Sequence, residues 1–215
     1  QAQISAITVG TWNILESLKR HSPATKAFIS GSGLQFENLG RSIDEKTLFA
    51  PTCPYAVARI DSTYTARYYR SLGLKTYIGY FFHHDSPQRP AHHVSQKVAL
   101  AAKNIAEGKQ DFLEMGDIEV AKEWAFAGDV VEAVWLLVNQ DKIYEAVIGT
   151  GETNTIKEWI ELCFSCHALD WRKHVKTKSN FNAEYKILQS NPQVIRKLGW
   201  QPKVNISKLA DMYMV

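Results

Sequence analysis

Lys26-Ala27-Phe28-Ile29-Ser30-Gly31-Ser32-Gly33, then Tyr55-Ala56-Val57-Ala58-Arg59 opening a run to Leu72, then Leu74 to Phe82: these three stretches decide the fold. Residues 26–30 are a short apolar strand, and Gly31-Ser32-Gly33 breaks it. A polar loop follows, with Pro51 and Pro54 at its far end. From Tyr55 the apolar residues Val57, Ala58, Ile60, Tyr64, Ala66 and Tyr69 recur at helical spacing, and Gly73 supplies a C-cap. Leu74–Phe82 reads as a buried strand. Strand, helix and strand in that order predict an α/β fold with a parallel sheet and covering helices.

The pattern extends both ways. Residues 9–20 form an amphipathic helix through Trp12, Leu15 and Leu18, stopped by Pro23. After Pro87 and Pro90 come a helix over Val94–Glu107 and a short strand over Phe112–Gly116. Gly128-Asp129 precedes a helix whose apolar side holds Val130, Ala133, Val134 and Leu137, and Tyr144–Gly149 is a strand. Thr153-Asn154-Thr155 caps a helix to about Cys166. Asn191-Pro192 opens a short helix, and Ile206–Tyr213 is the last ordered segment.

The 215 residues suffice for one domain with a small lobe, and 45% hydrophobic with 22% charged residues is ordinary for a globular protein. The net charge of +3 is spread without a basic block, which argues against nucleic acid. No run reaches the roughly 20 apolar residues of a membrane helix. Gln1-Ala2-Gln3-Ile4-Ser5 has neither a basic n-region nor a signal-peptide core. It also lacks an initiating Met, so the start reads as a truncation or a boundary. Three cysteines make no disulfide framework, and a cytoplasmic setting is expected.

Tyr55 and Arg59 lie four apart and share one helix face. A cation beside a phenol favours the phenolate, and such a phenol can shuttle a proton to or from a sugar hydroxyl or ketone. On spacing alone a half-buried tyrosine beside a surface arginine is the commoner outcome; the surrounding motifs decide otherwise.

His83-His84-Asp85-Ser86-Pro87-Gln88-Arg89 echoes Asn-His-Glu-Ser-Pro-x-Arg. His93-Val94-Ser95-Gln96-Lys97 echoes Phe-Val-Thr-Arg-Lys, and Lys122-Glu123-Trp124 echoes Arg-Asp-Trp. Gly149-Thr150-Gly151 and Lys197-Leu198-Gly199-Trp200-Gln201-Pro202 follow in order. With Tyr55 and Arg59 standing for Tyr-x-x-x-Lys, the chain resembles the extended short-chain dehydrogenase/reductases, most closely the GDP-mannose 4,6-dehydratase branch of the epimerase/dehydratase family.

That resemblance implies a Rossmann-like domain over residues 1–90. A mainly substrate-binding lobe then covers 91–215, with about 127–150 returning to the first domain. It implies NADP, with NAD as the alternative, a GDP-sugar substrate, and a homodimer or homotetramer. It implies a lyase mechanism in which a hydride leaves sugar carbon 4, water is eliminated across carbons 5 and 6, and the hydride returns to carbon 6. Tyr55 matches the catalytic base and Arg59 the family lysine, both also touching the cofactor. Ser30 or Ser32 supplies a hydroxyl, His84 and Arg89 contact the cofactor, and His83, Lys97 and Lys122 face the substrate. By distance from Tyr55 the family's catalytic Thr falls on Gly31 and its Glu on Gly33. The Arg-Pro of the late substrate loop has become Phe181-Asn182. The family's glycine-rich pyrophosphate turn has no counterpart in this sequence. A 4-keto-sugar reductase or epimerase, which needs no Glu, is the alternative, and a degenerate binding homologue is a third.

Two patterns are set aside. Cys163-Phe164-Ser165-Cys166-His167 spells a c-type haem attachment site but falls in an amphipathic helix, so structural cysteines are expected. His83, His84, His92, His93 and Asp85 suggest a metal cluster, yet adjacent strand residues point apart, and no metal is expected.

Overall fold

A computed structural model describes residues 4–178, 181 and 183–214, so the calls on Gln1–Gln3 and on Asn182 lie outside the described residues. A π-helical turn, Ser5–Val9, runs into helix α1, Gly10–His21, so the amphipathic helix starts earlier than its apolar pattern. Strand β1 (Ala27–Ser32), helix α2 (Pro54–Ser71) and strand β2 (Thr76–Phe81) follow. The strands are parallel, in register from Ala27 opposite Thr76 to Ser32 opposite Phe81.

Gly31 and Ser32 correct the sequence reading. They do not break the strand but end it, and the chain turns only at the 3-10 turn Gly33–Gln35. Ser32 caps that turn, accepting from the Leu34 N–H, while its own N–H donates to Gln35 Oε1. Ladder bonds and a cap outweigh two glycines.

The rest of the chain continues the alternation. It runs through β3 (His84–Asp85), α3 (Val94–Ala106), β4 (Leu113–Met115), β5 (Ala121–Lys122), β6 (Ala125–Phe126) and α4 (Ala127–Val138). It ends with β7 (Glu145–Ile148), β8 (Asn154–Thr155), α5 (Ile156–Ser165), β9 (Val175–Thr177), β10 (Ile187–Leu188), α6 (Gln193–Lys197) and α7 (Ile206–Tyr213). Gly128 and Asp129 therefore lie inside α4, not before it. Thr155 caps α5 through a reciprocal bond pair with Glu158.

The main sheet is parallel, in the order β1-β2-β7. Its side chains alternate between two cores. Ala27, Ile29, Ile78, Tyr80 and Val147 pack with Leu15 of α1 and Ala66 and Tyr69 of α2. Tyr77, Ala146 and Ile148 pack with Val130, Ala133 and Leu137 of α4 and with Ile195 and Trp200. A parallel sheet covered by helices on both faces is the Rossmann-like arrangement. A third core, around Trp124, Trp159 and Phe164, joins α3, α5 and α7. There Trp124 and Trp159 stack with centroids 4.7 Å apart. Among the described residues no helix is long and apolar enough to cross a membrane.

One carboxylate fixes α2 over the sheet. Glu145 on β7 accepts from Arg67 Nε at 2.9 Å and Nη2 at 2.6 Å, from Arg70 Nη1 at 2.8 Å and from the Tyr80 hydroxyl at 2.6 Å. Burial alone raises the Glu145 carboxyl, but hydrogen bonds from Arg67, Tyr80 and Arg70 bring it down to about 2. A carboxyl held below its unfolded value adds stability above that value and loses it as the pH falls through the folded one. Urea titrations of wild type and Glu145→Gln should therefore show a gap that is full at neutral pH and closes between about pH 4.5 and about pH 2. A gap independent of pH contradicts the assignment.

Candidate active site

Tyr55 follows Pro54, which opens α2 where a missing N–H costs nothing. Arg59 lies one turn on. It donates from Nε to the Tyr55 hydroxyl at 3.1 Å, and from Nη1 to the Ser30 carbonyl at 2.8 Å and the Ser30 hydroxyl at 2.7 Å. One guanidinium thus binds the phenol of α2 and the hydroxyl of β1. It supplies the hydrogen to both oxygens, leaving the protons of both hydroxyls free for a ligand. Ser32 is different: its oxygen is engaged by the turn it caps, and Gln35 ties that turn to Thr63 of α2 at 3.0 Å.

A cleft of about 390 Å³ opens here, and Ser30, Ser32, Tyr55, Arg59, His83, His84 and Arg89 all line it. Among its described lining residues there is no aspartate or glutamate. A second cleft of about 490 Å³ adjoins it, sharing Leu34, Tyr185 and Leu188.

The turn after β2 forms the opposite wall. His83 Nδ1 lies 2.7 Å from the Glu123 carbonyl, which can only accept, so this nitrogen carries the hydrogen. Nε2 is then the acceptor for the Lys122 ammonium at 3.2 Å. Burial, then the charge of Lys122, hold His83 well below the usual imidazole range. Burial likewise brings Lys122 down to about 8, with its ammonium 4.7 Å from the Trp124 ring centroid. His84 turns the other way, its Nδ1 2.9 Å from the Phe82 carbonyl. Arg89 donates to Asp85 Oδ1 at 3.1 Å and to the His84 carbonyl at 2.9 Å.

Lys97 is not brought to this cleft; its ammonium donates to the Glu114 carbonyl at 2.6 Å. Phe181, of the altered late loop, lies over Gly116. Cys163 is buried and Cys166 exposed, both free thiols, and burial pushes both upward. Among the described residues no three His, Cys, Asp or Glu side chains are grouped to hold a metal ion.

Sequence reasoning passes over Glu123, which is fully buried. Its carboxylate accepts the Thr150 and Ser190 N–H groups, each at 2.5 Å, and its carbonyl holds His83. The end of β7, the segment after β10 and the cleft wall all meet on this residue. Its place between Lys122 and Trp124 is the only signal in the sequence.

The chain matches the family described as GDP-mannose 4,6 dehydratase over residues 1–213. The chain belongs to the GDP-mannose 4,6-dehydratase family. It is 33% identical to GDP-mannose 4,6 dehydratase 1 of Arabidopsis thaliana over 96% of its own length and 59% of the relative's. The chain thus spans less than two thirds of that relative. In fold it resembles RMD from Pseudomonas aeruginosa complexed with NADPH, with a TM-score of 0.90 at 21% identity over 98% of this chain and 72% of that one. It also resembles dTDP-glucose 4,6-dehydratase from Bacillus anthracis in complex with NAD, with a TM-score of 0.85 at 18% identity over 98% and 68%.

Gly31 and Gly33 are closely packed. A Cβ on Gly31 would lie 2.5 Å from Tyr80 Cδ1, and one on Gly33 would lie 3.0 Å from the Phe82 ring. Aromatic rings hold the space that side chains at these positions need. Gly31→Thr should cost about 1–3 kcal/mol from overpacking, measured by denaturant titration; wild-type stability would show that the strand end has room.

Proposed function

We propose that this chain carries the proton-transfer and substrate-holding part of a nucleotide-sugar-modifying short-chain dehydrogenase/reductase acting on a GDP-sugar, GDP-mannose first. The observation that carries this reading is Arg59 binding the Tyr55 phenol and the Ser30 hydroxyl together at the mouth of one cleft. Family membership supplies the substrate class. We assign residues 1–90 and about 127–150 to the dinucleotide side and the rest of 91–215 mainly to the sugar-nucleotide side.

The donor set fits the reacting end of a nicotinamide dinucleotide: Arg59 offers N–H groups to ribose hydroxyls, and His84 and Arg89 line the same wall. NADP is the first choice and NAD the second. When bound, the dinucleotide supplies the hydride acceptor. The chain's own residues handle protons and position. In its phenolate form Tyr55, with Arg59 donating to its oxygen, takes the proton of the sugar's carbon-4 hydroxyl as that carbon is oxidised and returns it when the ketone is reduced. Ser30 donates to the same oxygen. His83 and Lys122 form a polar wall for the substrate, and Lys97 is assigned to the substrate side of the lobe.

A second reading, reduction or epimerisation of a 4-keto sugar, is favoured by one observation. The described lining of the Tyr55 cleft holds no carboxylate to take the carbon-5 proton, and Tyr80 and Phe82 crowd Gly31 and Gly33, the positions where the family resemblance implies Thr and Glu. Such a base is worth about 10²–10⁴-fold in rate. We further propose a cytoplasmic setting and a homo-oligomer, the latter because Trp12 and Ile14 of α1 and Tyr64 and Tyr68 of α2 are exposed, with the Trp12 and Tyr68 rings 5.8 Å apart.

Incubation with GDP-mannose and NADP tests the first reading through formation of a 4-keto-6-deoxy product. Incubation with the 4-keto sugar nucleotide and NADPH tests the second through oxidation of the dinucleotide. In whichever holds, Tyr55→Phe should slow turnover about 10²–10⁴-fold with little change in sugar-nucleotide affinity. Wild-type turnover in the variant, or none in either assay of wild type, contradicts the proposal.

A further inference from the structure

Asp85 is 1% exposed, an unusual setting for an aspartate. One of its oxygens, Oδ1, carries the partners: the Ser86 N–H at 3.0 Å, Arg89 Nε at 3.1 Å and the Tyr213 hydroxyl at 2.7 Å. The other, Oδ2, has no hydrogen-bond partner and faces His83 Nε2 at 3.4 Å. A charge buried this deeply is costly and adds little stability even when paired. What it does is fix one side chain of the cleft, Arg89.

Tyr213 comes from far away, as the last residue of α7. Its hydroxyl also lies 2.6 Å from the Ser86 carbonyl, so one proton is shared between two acceptors of the same turn. Its ring stands edge-on to Trp159 at 5.3 Å, so the lobe core sets its position. Burial pushes the phenol upward, which keeps it a donor.

Arg89 spends Nε on Asp85 and one Nη2 hydrogen on the His84 carbonyl. The Nη1 end of its fork has no partner among these bonds, and the side chain lines the cleft. A planar guanidinium held on one edge and open on the other suits a phosphate group.

We propose that Asp85 is the positioning carboxylate of the Tyr55 cleft and that Tyr213 holds it in place, so that Arg89 presents its open edge to a phosphate of the bound ligand. This rests on the reading that the cleft takes phosphate-bearing ligands. The phosphate belongs either to the dinucleotide or to the sugar nucleotide. Tyr213 touches neither and acts through Asp85 upon Arg89.

A double-mutant cycle on the whole chain tests this, with inorganic pyrophosphate as the probe in calorimetry. Tyr213→Phe should weaken pyrophosphate binding about tenfold in the wild-type background. It should weaken it no further in the Arg89→Met background, because the two losses are one interaction. A purely structural role predicts equal losses in both backgrounds and overturns the proposal, as does wild-type protein that does not bind pyrophosphate. Asp85→Asn, which keeps an acceptor oxygen of the same size, gives the same cycle should Tyr213→Phe fold poorly. Titrations with NADP and with GDP-mannose then identify the source of the phosphate, as the ligand weakened by Arg89→Met. The two readings fail separately. A non-additive cycle without turnover of either sugar nucleotide removes the proposed activity alone, and an additive cycle with turnover intact removes the Tyr213 tether alone.

Discussion

Helix α2 has to cross the end of strand β1 at one height, and the Arg59 guanidinium sets that height. It reaches the Ser30 carbonyl and hydroxyl on the strand and the Tyr55 hydroxyl on its own helix. Two turns further along α2, Arg67 and Arg70 grip Glu145 on β7, so the helix is fixed at both ends of its sheet contact. Charged hydrogen bonds of this kind are short and directional. They define a rotation of α2 that apolar packing against Ile29 and Tyr80 alone leaves looser. The cleft exists because the helix is held in that rotation.

The wall opposite Tyr55 depends on a second kind of constraint, buried carboxylates that gather distant segments. Glu123 receives N–H groups from Thr150 and Ser190, while its carbonyl sets the tautomer of His83. Asp85 gathers Arg89 and Tyr213. Neither carboxylate lines the cleft. Their effect is to aim the side chains that do, which is how a site on loop and turn residues obtains fixed geometry.

The sheet and its helices were legible because their apolar residues repeat with a period. Ala27, Ile29, Ile78 and Tyr80 face one core while Tyr77, Ala146 and Ile148 face the other. The two-residue strands β3, β5, β6, β8 and β10 carry too few residues to show a period. Gly31 and Ser32 misled because glycine reads as a break, whereas the Tyr80 ring fills the space beside Gly31. Tyr55, Arg59, Ser30 and the histidines were found through motifs, and the fold brings them to one cleft. Lys97 and Lys122 looked alike in sequence, yet one lies on the surface against Glu114 and the other is buried beside Trp124. Glu123, Asp85 and Glu145 were not legible as organisers. A charged residue reads as surface, and the Glu123 and Glu145 partners, like Tyr213 on Asp85, lie tens of residues away in the chain.

In the proposed reaction Tyr55, Arg59 and Ser30 act as one unit. The most direct measurement is kcat/KM for Tyr55→Phe, Arg59→Met and the double variant, in whichever sugar-nucleotide assay the wild type supports. If Arg59 works through the phenol, the double variant is as slow as the slower single one, since residues acting as a unit are not additive. If the two losses multiply, Arg59 and Tyr55 act independently and the unit described here does not exist.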